Sequence, residues 1–157
     1  MIDYFLGGEG KLQPANATGA LIVVEPERGY LMQLRDQKSG IFYPGHWGVF
    51  GGAIDQGETP EQSLSRELTE ELGLKATRVT YFTEFTFDFG FNGLGHFTRR
   101  YFEVPVERNV INSLVLGEGS AFKVFSAHEL LTGRRIVPFD AFAIWLHVGR
   151  DQIAAQR

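Results

Sequence analysis

The sequence predicts an α/β or α+β fold in which a mixed sheet lies between helices. Three observations predict it: an apolar, β-branched run early in the chain, a central helix signalled at both ends, and strand pairs interleaved with helices.

The elements follow in order. Residues 18–25 (TGALIVVE) read as a strand, residues 26–29 as a turn, and residues 30–35 (YLMQLR) as its hairpin partner. The glycine-rich stretch 40–52 (GIFYPGHWGVFGG) reads as loop, short strand at 47–50, loop. The clearest helix has Thr59 as N-cap, Pro60 at its first position, Gln62 completing a capping box and Gly73 as the C-terminal glycine. Residues 75–87 and 96–106 read as two long antiparallel strands joined by a hairpin loop, DFGFNGLG. Residues 114–116 and 121–125 are expected to be short strands. Ser126 with Glu129 forms a second capping box for a helix ending near Gly133, and a last helix runs over about 138–152.

With 157 residues, 43% of them hydrophobic, the chain is expected to bury its own core as a single domain over 1–157. The absence of cysteine excludes a disulfide framework, a thiol nucleophile and cysteine-ligated zinc. The start MIDYFLGGEG lacks the basic and apolar regions of a signal peptide, so a cytoplasmic location is expected. No apolar run is long enough to cross a bilayer, and no membrane association is expected. A net charge of -4 gives no general attraction to polyanions, so nucleic acid is not favoured as a partner. His46, His96, His128 and His147 are too scattered to suggest a metal cluster.

The central helix poses a problem. At about 100° per residue, Glu67 and Glu71 nearly superpose and Glu70 lies a short way round, so three carboxylates share one arc. Leu64, Leu68 and Leu72 form the adjoining stripe that packs on the sheet. Like charges at these spacings cost about 0.2–0.5 kcal/mol per pair, and on that arc only Arg66 is placed to reach Glu70. Alone, such glutamates would be solvating residues of a surface helix. Just upstream, however, Gly51, Gly52 and Gly57 make a loop ending in Glu58 before a helix N-terminus, where backbone N–H groups face anions. Carboxylates beside such a loop suit a hard cation that is bound through oxygen ligands and substrate phosphates.

Residues 52–74, GAIDQGETPEQSLSRELTEELGL, resemble the signature of the Nudix hydrolases. That signature is Gly, five residues, Glu, seven residues, Arg-Glu, an aliphatic, any residue, Glu-Glu, any residue, Gly and an aliphatic. Gly52, Glu58, Arg66, Glu67, Leu68, Glu70, Glu71, Gly73 and Leu74 fill every defined position. The resemblance implies a Nudix-type α/β/α sandwich with a mixed sheet, into which the flanking strands, Glu118 and the last helix also fit. It implies hydrolysis of a nucleoside diphosphate linked to another moiety, of the nucleotide sugar or nucleoside triphosphate class, with Mg2+ or Mn2+. Homodimers are common in the family.

Carried onto this chain, Glu67, Glu70 and Glu71 look like metal ligands, joined by the Gly51 carbonyl. Arg66 looks like the residue that orients a glutamate of the motif, Glu58 like an accessory acid, and Gly52 like part of the phosphate loop. Family members take the proton of the attacking water on a glutamate of the motif or of a later loop, which leaves Glu67 and Glu118 as the two candidates for the base. Nine of the twenty-one aromatic residues fall between Tyr81 and Phe102, enough for a core face and a stacking surface. Strand alternation sets Phe85, Phe87 and Phe89 on one face and sends Arg99 and Arg100 to opposite sides, making Arg99 a candidate phosphate contact.

The chain departs from two subfamily patterns. It has no proline between Leu74 and Pro105, unlike many ADP-ribose-type relatives, and it has Phe89 and Phe91 where dinucleoside polyphosphate hydrolases favour tyrosine. The alternatives to a small-nucleotide hydrolase are a noncatalytic Nudix-like binding domain and an RNA 5'-pyrophosphohydrolase. An isoprenoid diphosphate isomerase is disfavoured because its usual form needs a cysteine.

Overall fold

A computed structural model describes residues 16–88 and 95–155. The strands are β1 (Asn16–Glu25), β2 (Gly29–Leu34), β3 (Trp47–Gly48), β4 (Thr80–Asp88), β5 (His96–Glu107) and β6 (Ala121–Phe125). The helices are α1 (Pro60–Leu72), α2 (Ala127–Gly133) and α3 (Pro138–Ala154), and a 3-10 turn covers Arg108–Ser113. The sheet runs β3-β2-β1-β5-β4, with β6 also paired to β2. Among the described strands only β1 and β5 pair in parallel, so the sheet is mixed as expected.

Strand β1 is buried along nearly its whole length because both its faces are covered. Ala20, Ile22 and Val24 join Leu31, Phe102 and Val104 under the Leu64, Leu68 and Leu72 stripe of α1, all three leucines being fully buried. Each contributes about 1.5–3 kcal/mol by burial. On the opposite face Leu21, Val23, Met32 and Tyr101 pack with Leu130 of α2 and with Ala143 and Ile144 of α3. Two layers of helix around one sheet follow directly from this alternation.

Helix α1 starts and stops as its sequence indicates. Thr59 Oγ1 accepts from the Gln62 N–H, and the Gln62 side chain accepts from the Thr59 N–H. Gly73 ends the helix in the left-handed conformation, φ 65°. The last helix extends to Ala154, slightly beyond its expected end.

Three expectations are corrected. Residues 114–116 are not a strand: the Val115 and Gly117 N–H groups donate to the carbonyls of Leu72 and Glu71, so the segment completes the C-terminus of α1 instead of a ladder. Residues 75–79 precede β4 rather than belonging to it, because pairing with β5 begins only at Thr80. The strand expected at 47–50 is reduced to Trp47–Gly48, after which Phe50 makes an isolated bridge to Ala20. Phe89 and the tip of the hairpin loop, 89–94, lie outside the described residues. Among the described residues no helix is long and apolar enough to cross a membrane.

Candidate active site

The site begins where the loop after β3 runs beside β1. The Thr18 N–H donates to the Gly52 carbonyl and the Ala20 N–H to that of Phe50, both at 2.8 Å. Gly51 sits between these bonds at φ 123°, and a Cβ there would lie 2.6 Å from the Thr18 carbonyl oxygen. A Cβ on Gly52 would meet the Glu67 carboxylate at 2.7 Å. Glycine at 51 is therefore a steric requirement of bringing strand and loop together, whereas a side chain at 52 would displace the Glu67 carboxylate.

Arg66 fastens the loop to the helix. Its Nε and Nη2 donate to both carboxylate oxygens of Glu58, at 2.8 and 2.9 Å. Nη2 also reaches the Ala53 carbonyl at 2.9 Å, and Nη1 reaches Glu67 Oε1 at 2.7 Å. Glu70 is a weaker partner at 3.4 Å. Such a planar fork fixes geometry as well as charge.

Beside this lock opens a cleft of about 680 Å3, lined on one side by Glu67, Glu70, Glu71 and Glu118 and on another by Gln33, Arg35, Asp36 and Lys38, with Gly51 and Gly52 between. Glu71 is almost wholly buried and accepts from the Gly51 N–H at 2.8 Å. Its carboxyl is pushed up to about 7, first by burial, which outweighs that hydrogen bond, and further by the charges of Glu67 and Glu118. Burial likewise raises Glu67 in spite of Arg66. Among the described residues no three acidic or imidazole groups are drawn together as a finished ligand cluster. The donor set nevertheless suits magnesium or manganese: it is all oxygen, Arg66 offsets only part of its repulsion, and magnesium commonly takes one or two carboxylates and completes its shell with water and phosphate.

A second pocket, of about 230 Å3, adjoins the cleft through Arg35, Ile41, Gly51 and Gly52 and is walled by Phe42, Tyr43, Phe97 and Phe139. Arg99 and Asp140 lie at its base. Asp140, third residue of α3, accepts from the Val49 N–H at 3.0 Å and from the Tyr101 hydroxyl at 2.9 Å. Arg99 Nε is 3.5 Å from the same carboxylate and has no hydrogen-bond acceptor among the described residues. Its guanidinium lies 5.8 and 5.6 Å from the ring centres of Tyr101 and Phe139.

A model of the NUDIX domain matches residues 14–143, most of the chain. The chain belongs to the Nudix family. A stretch of 39 residues is 49% identical to the 8-oxo-dGTP diphosphatase of Haemophilus influenzae, over 25% of this chain and 29% of that protein. A stretch of 63 residues is 36% identical to the nucleoside triphosphatase NudI of Escherichia coli, over 39% of this chain and 44% of that protein. The chain thus spans less than half the length of these curated relatives in the matches. The crystal structure of the MutT protein from Methanosarcina mazei Go1 superposes with a TM-score of 0.71 at 18% identity, covering 92% of this chain and 97% of that one, which establishes the shared fold.

Of the residues expected in the Nudix site, Glu67, Glu70, Glu71, Gly51, Gly52 and Glu118 line one cleft. Arg66 and Glu58 form its outer lock. Arg99 lines the adjoining aromatic pocket instead, while Arg100 points away and pairs with Glu84 at 3.0 Å. Sequence reasoning missed Arg35, Lys38, Gln33 and Asp140. One signal was available for two of them: alternation on β2 sends Leu31, Gln33 and Arg35 to one face, so a core leucine is followed by two polar side chains. Asp140 had none, since its partners come from β3, its flank and β5.

Proposed function

We propose that this Nudix chain is a divalent-metal-dependent pyrophosphohydrolase that cleaves a phosphoanhydride bond of a nucleoside triphosphate or of a related nucleoside diphosphate derivative. The observation that carries this reading is a cleft and an adjoining pocket that share Arg35, Ile41, Gly51 and Gly52 and together present three chemistries: four glutamates, a cationic edge at Arg35 and Lys38, and aromatic walls. The names of the two curated relatives, a diphosphatase and a nucleoside triphosphatase, support the same class.

In this reading Glu67, Glu70 and Glu71, with the Gly51 carbonyl, would hold the ion. Bound there, a divalent ion would supply neutralisation of phosphate charge and a lowered pKa for an attacking water. Arg66 holds Glu67 and the glycine loop in register. Arg35 and Lys38 face the phosphates; burial and the neighbouring Arg99 lower the Arg35 pKa, so an anion between the two guanidiniums is favoured. The aromatic walls stack on the base. For the proton of the water, Glu118 is preferred over Glu67: Arg66 already donates to Glu67, whereas among the described residues nothing donates to the Glu118 carboxylate.

The test is a substrate panel with magnesium: canonical and oxidised nucleoside triphosphates, nucleotide sugars, ADP-ribose, NADH, dinucleoside polyphosphates and triphosphorylated RNA. Turnover of a nucleoside triphosphate to a monophosphate and pyrophosphate is expected. Binding of a nucleotide without turnover of any panel member, with magnesium or manganese, would replace this reading by that of a noncatalytic binding domain.

A further inference from the structure

Glu118 stands between two glycines, and its backbone is gripped from both sides. On one side the Gly117 N–H donates to the Glu71 carbonyl at 2.7 Å, and a Cβ on Gly117 would lie 2.2 Å from the Glu70 carbonyl oxygen. On the other, Gln33 Nε2 donates to the Glu118 carbonyl at 3.0 Å. Gly119, at φ 83°, passes so close that a Cβ would meet Gln33 Cγ at 2.9 Å. Ser120 then ties the loop back to β2 through its N–H to the Leu34 carbonyl and its hydroxyl to Asp36, both at 2.9 Å.

Gln33 itself is buried within β2, between β3 and β6. A buried amide costs free energy unless it is hydrogen-bonded. Its one side-chain bond given by the structure goes to the residue that carries the cleft's most distant carboxylate in sequence. Helix α1 brings Glu67, Glu70 and Glu71 as a rigid set, whereas Glu118 arrives on a loop and needs an outside hold to keep its distance from them.

We propose that Gln33 is a positioning residue for Glu118: its amide holds the Glu118 carbonyl and so sets where the carboxylate stands in the cleft. The proposal rests on the reading of Glu118 as proton acceptor. Misplacement of about 1 Å in a reacting group can lower a rate by as much as 100-fold, so a single loop clamp has consequences for kcat.

Gln33→Met keeps length and most of the volume and removes the donor. Two measurements decide its effect. Hydrogen exchange over residues 114–120 is expected to speed several-fold in Gln33→Met with the rest of the chain unchanged, since only a local opening is released. With the substrate identified by the panel, kcat is expected to fall roughly 10-fold with KM altered less than about 2-fold, and the same change in a Glu118→Gln background is expected to cost nothing further. An equal loss of kcat in both backgrounds, or unchanged exchange in the loop, overturns the role of Gln33. Wild-type kcat in Glu118→Gln overturns the Glu118 reading and this proposal with it. Absence of any turnover by the wild type overturns the proposed function first, and is distinguishable because the exchange result still reports on the clamp. Should Gln33→Met fail to fold, Gly119→Ala disturbs the same junction with the amide intact and is expected to reproduce the pattern.

Discussion

Two clusters of charged side chains, one around Glu71 and one around Glu103, lie on opposite faces of one sheet, and they treat charge in opposite ways. Behind the sheet, Glu103 of β5 accepts from His147 Nε2 at 2.6 Å and from Arg150, while the Tyr30 hydroxyl meets His147 Nδ1 at 2.7 Å. Burial raises the Glu103 carboxyl, but the Arg150 and His147 hydrogen bonds outweigh it and hold the carboxyl below its usual value. In front, burial and like charge raise Glu71 and Glu67, with Arg66 already divided among Glu58, Glu67 and Glu70. The rear cluster is complete within the chain and joins α3 to β2 and β5. The front cluster is short of positive charge, which is what a site awaiting a cation and an anionic substrate requires.

The largest expected effect separates the two by activity. Glu71→Gln should lower kcat at least about 100-fold, since metal sites supply several kcal/mol of charge stabilisation. The glutamine oxygen can still accept the Gly51 N–H, so circular dichroism should show an unchanged fold, and the rise of Tm on adding magnesium should shrink or vanish. Unfolding of this variant would instead make Glu71 a structural residue.

The next effect reverses the pattern. His147→Ala opens a cavity beside Tyr30 and Phe82 and leaves the Tyr30 hydroxyl without its partner, at a cost of about 2–4 kcal/mol. Denaturant unfolding measures the loss, while kcat below the unfolding range should stay near wild type. A comparable fall in kcat would mean that the rear cluster shapes the cleft.

The smallest effect is in the pH dependence of Tm without metal. Glu71 is raised from 4.5 to about 7 in the fold, so its contribution to stability is present below pH 4.5 and is lost as pH rises through about 7. His147 is lowered from 6.5, chiefly by burial, so its contribution is present above pH 6.5 and is lost as pH falls below it. Glu71→Gln should flatten the alkaline side of the profile, and His147→Ala the acid side. If each variant shifted the wrong side, the assignment of charge states to the two clusters would fail.

Much of the front cluster was legible because it is local. The capping box, Gly73 and the leucine stripe fix the position and rotation of α1, and that rotation carries Glu67, Glu70 and Glu71 to one edge of the cleft. Residues 114–116 misled for the converse reason: their apolar, branched composition suits a strand, but the nearest unpaired carbonyls belong to the end of α1. The rear cluster was not legible, since His147 finds its partners 117 and 44 positions away along the chain.

By itself the sequence determined the family, the helix and the identity of the acidic residues, because motif, caps and periodicity act over a few turns of chain. Tertiary structure decided where the candidates meet: Glu118, Arg35 and Gln33 line the cleft with the α1 glutamates, and Arg99 sits in the aromatic pocket. The physical reason is distance: burial and the balance of charge around each carboxylate depend on groups that only the folded sheet brings together.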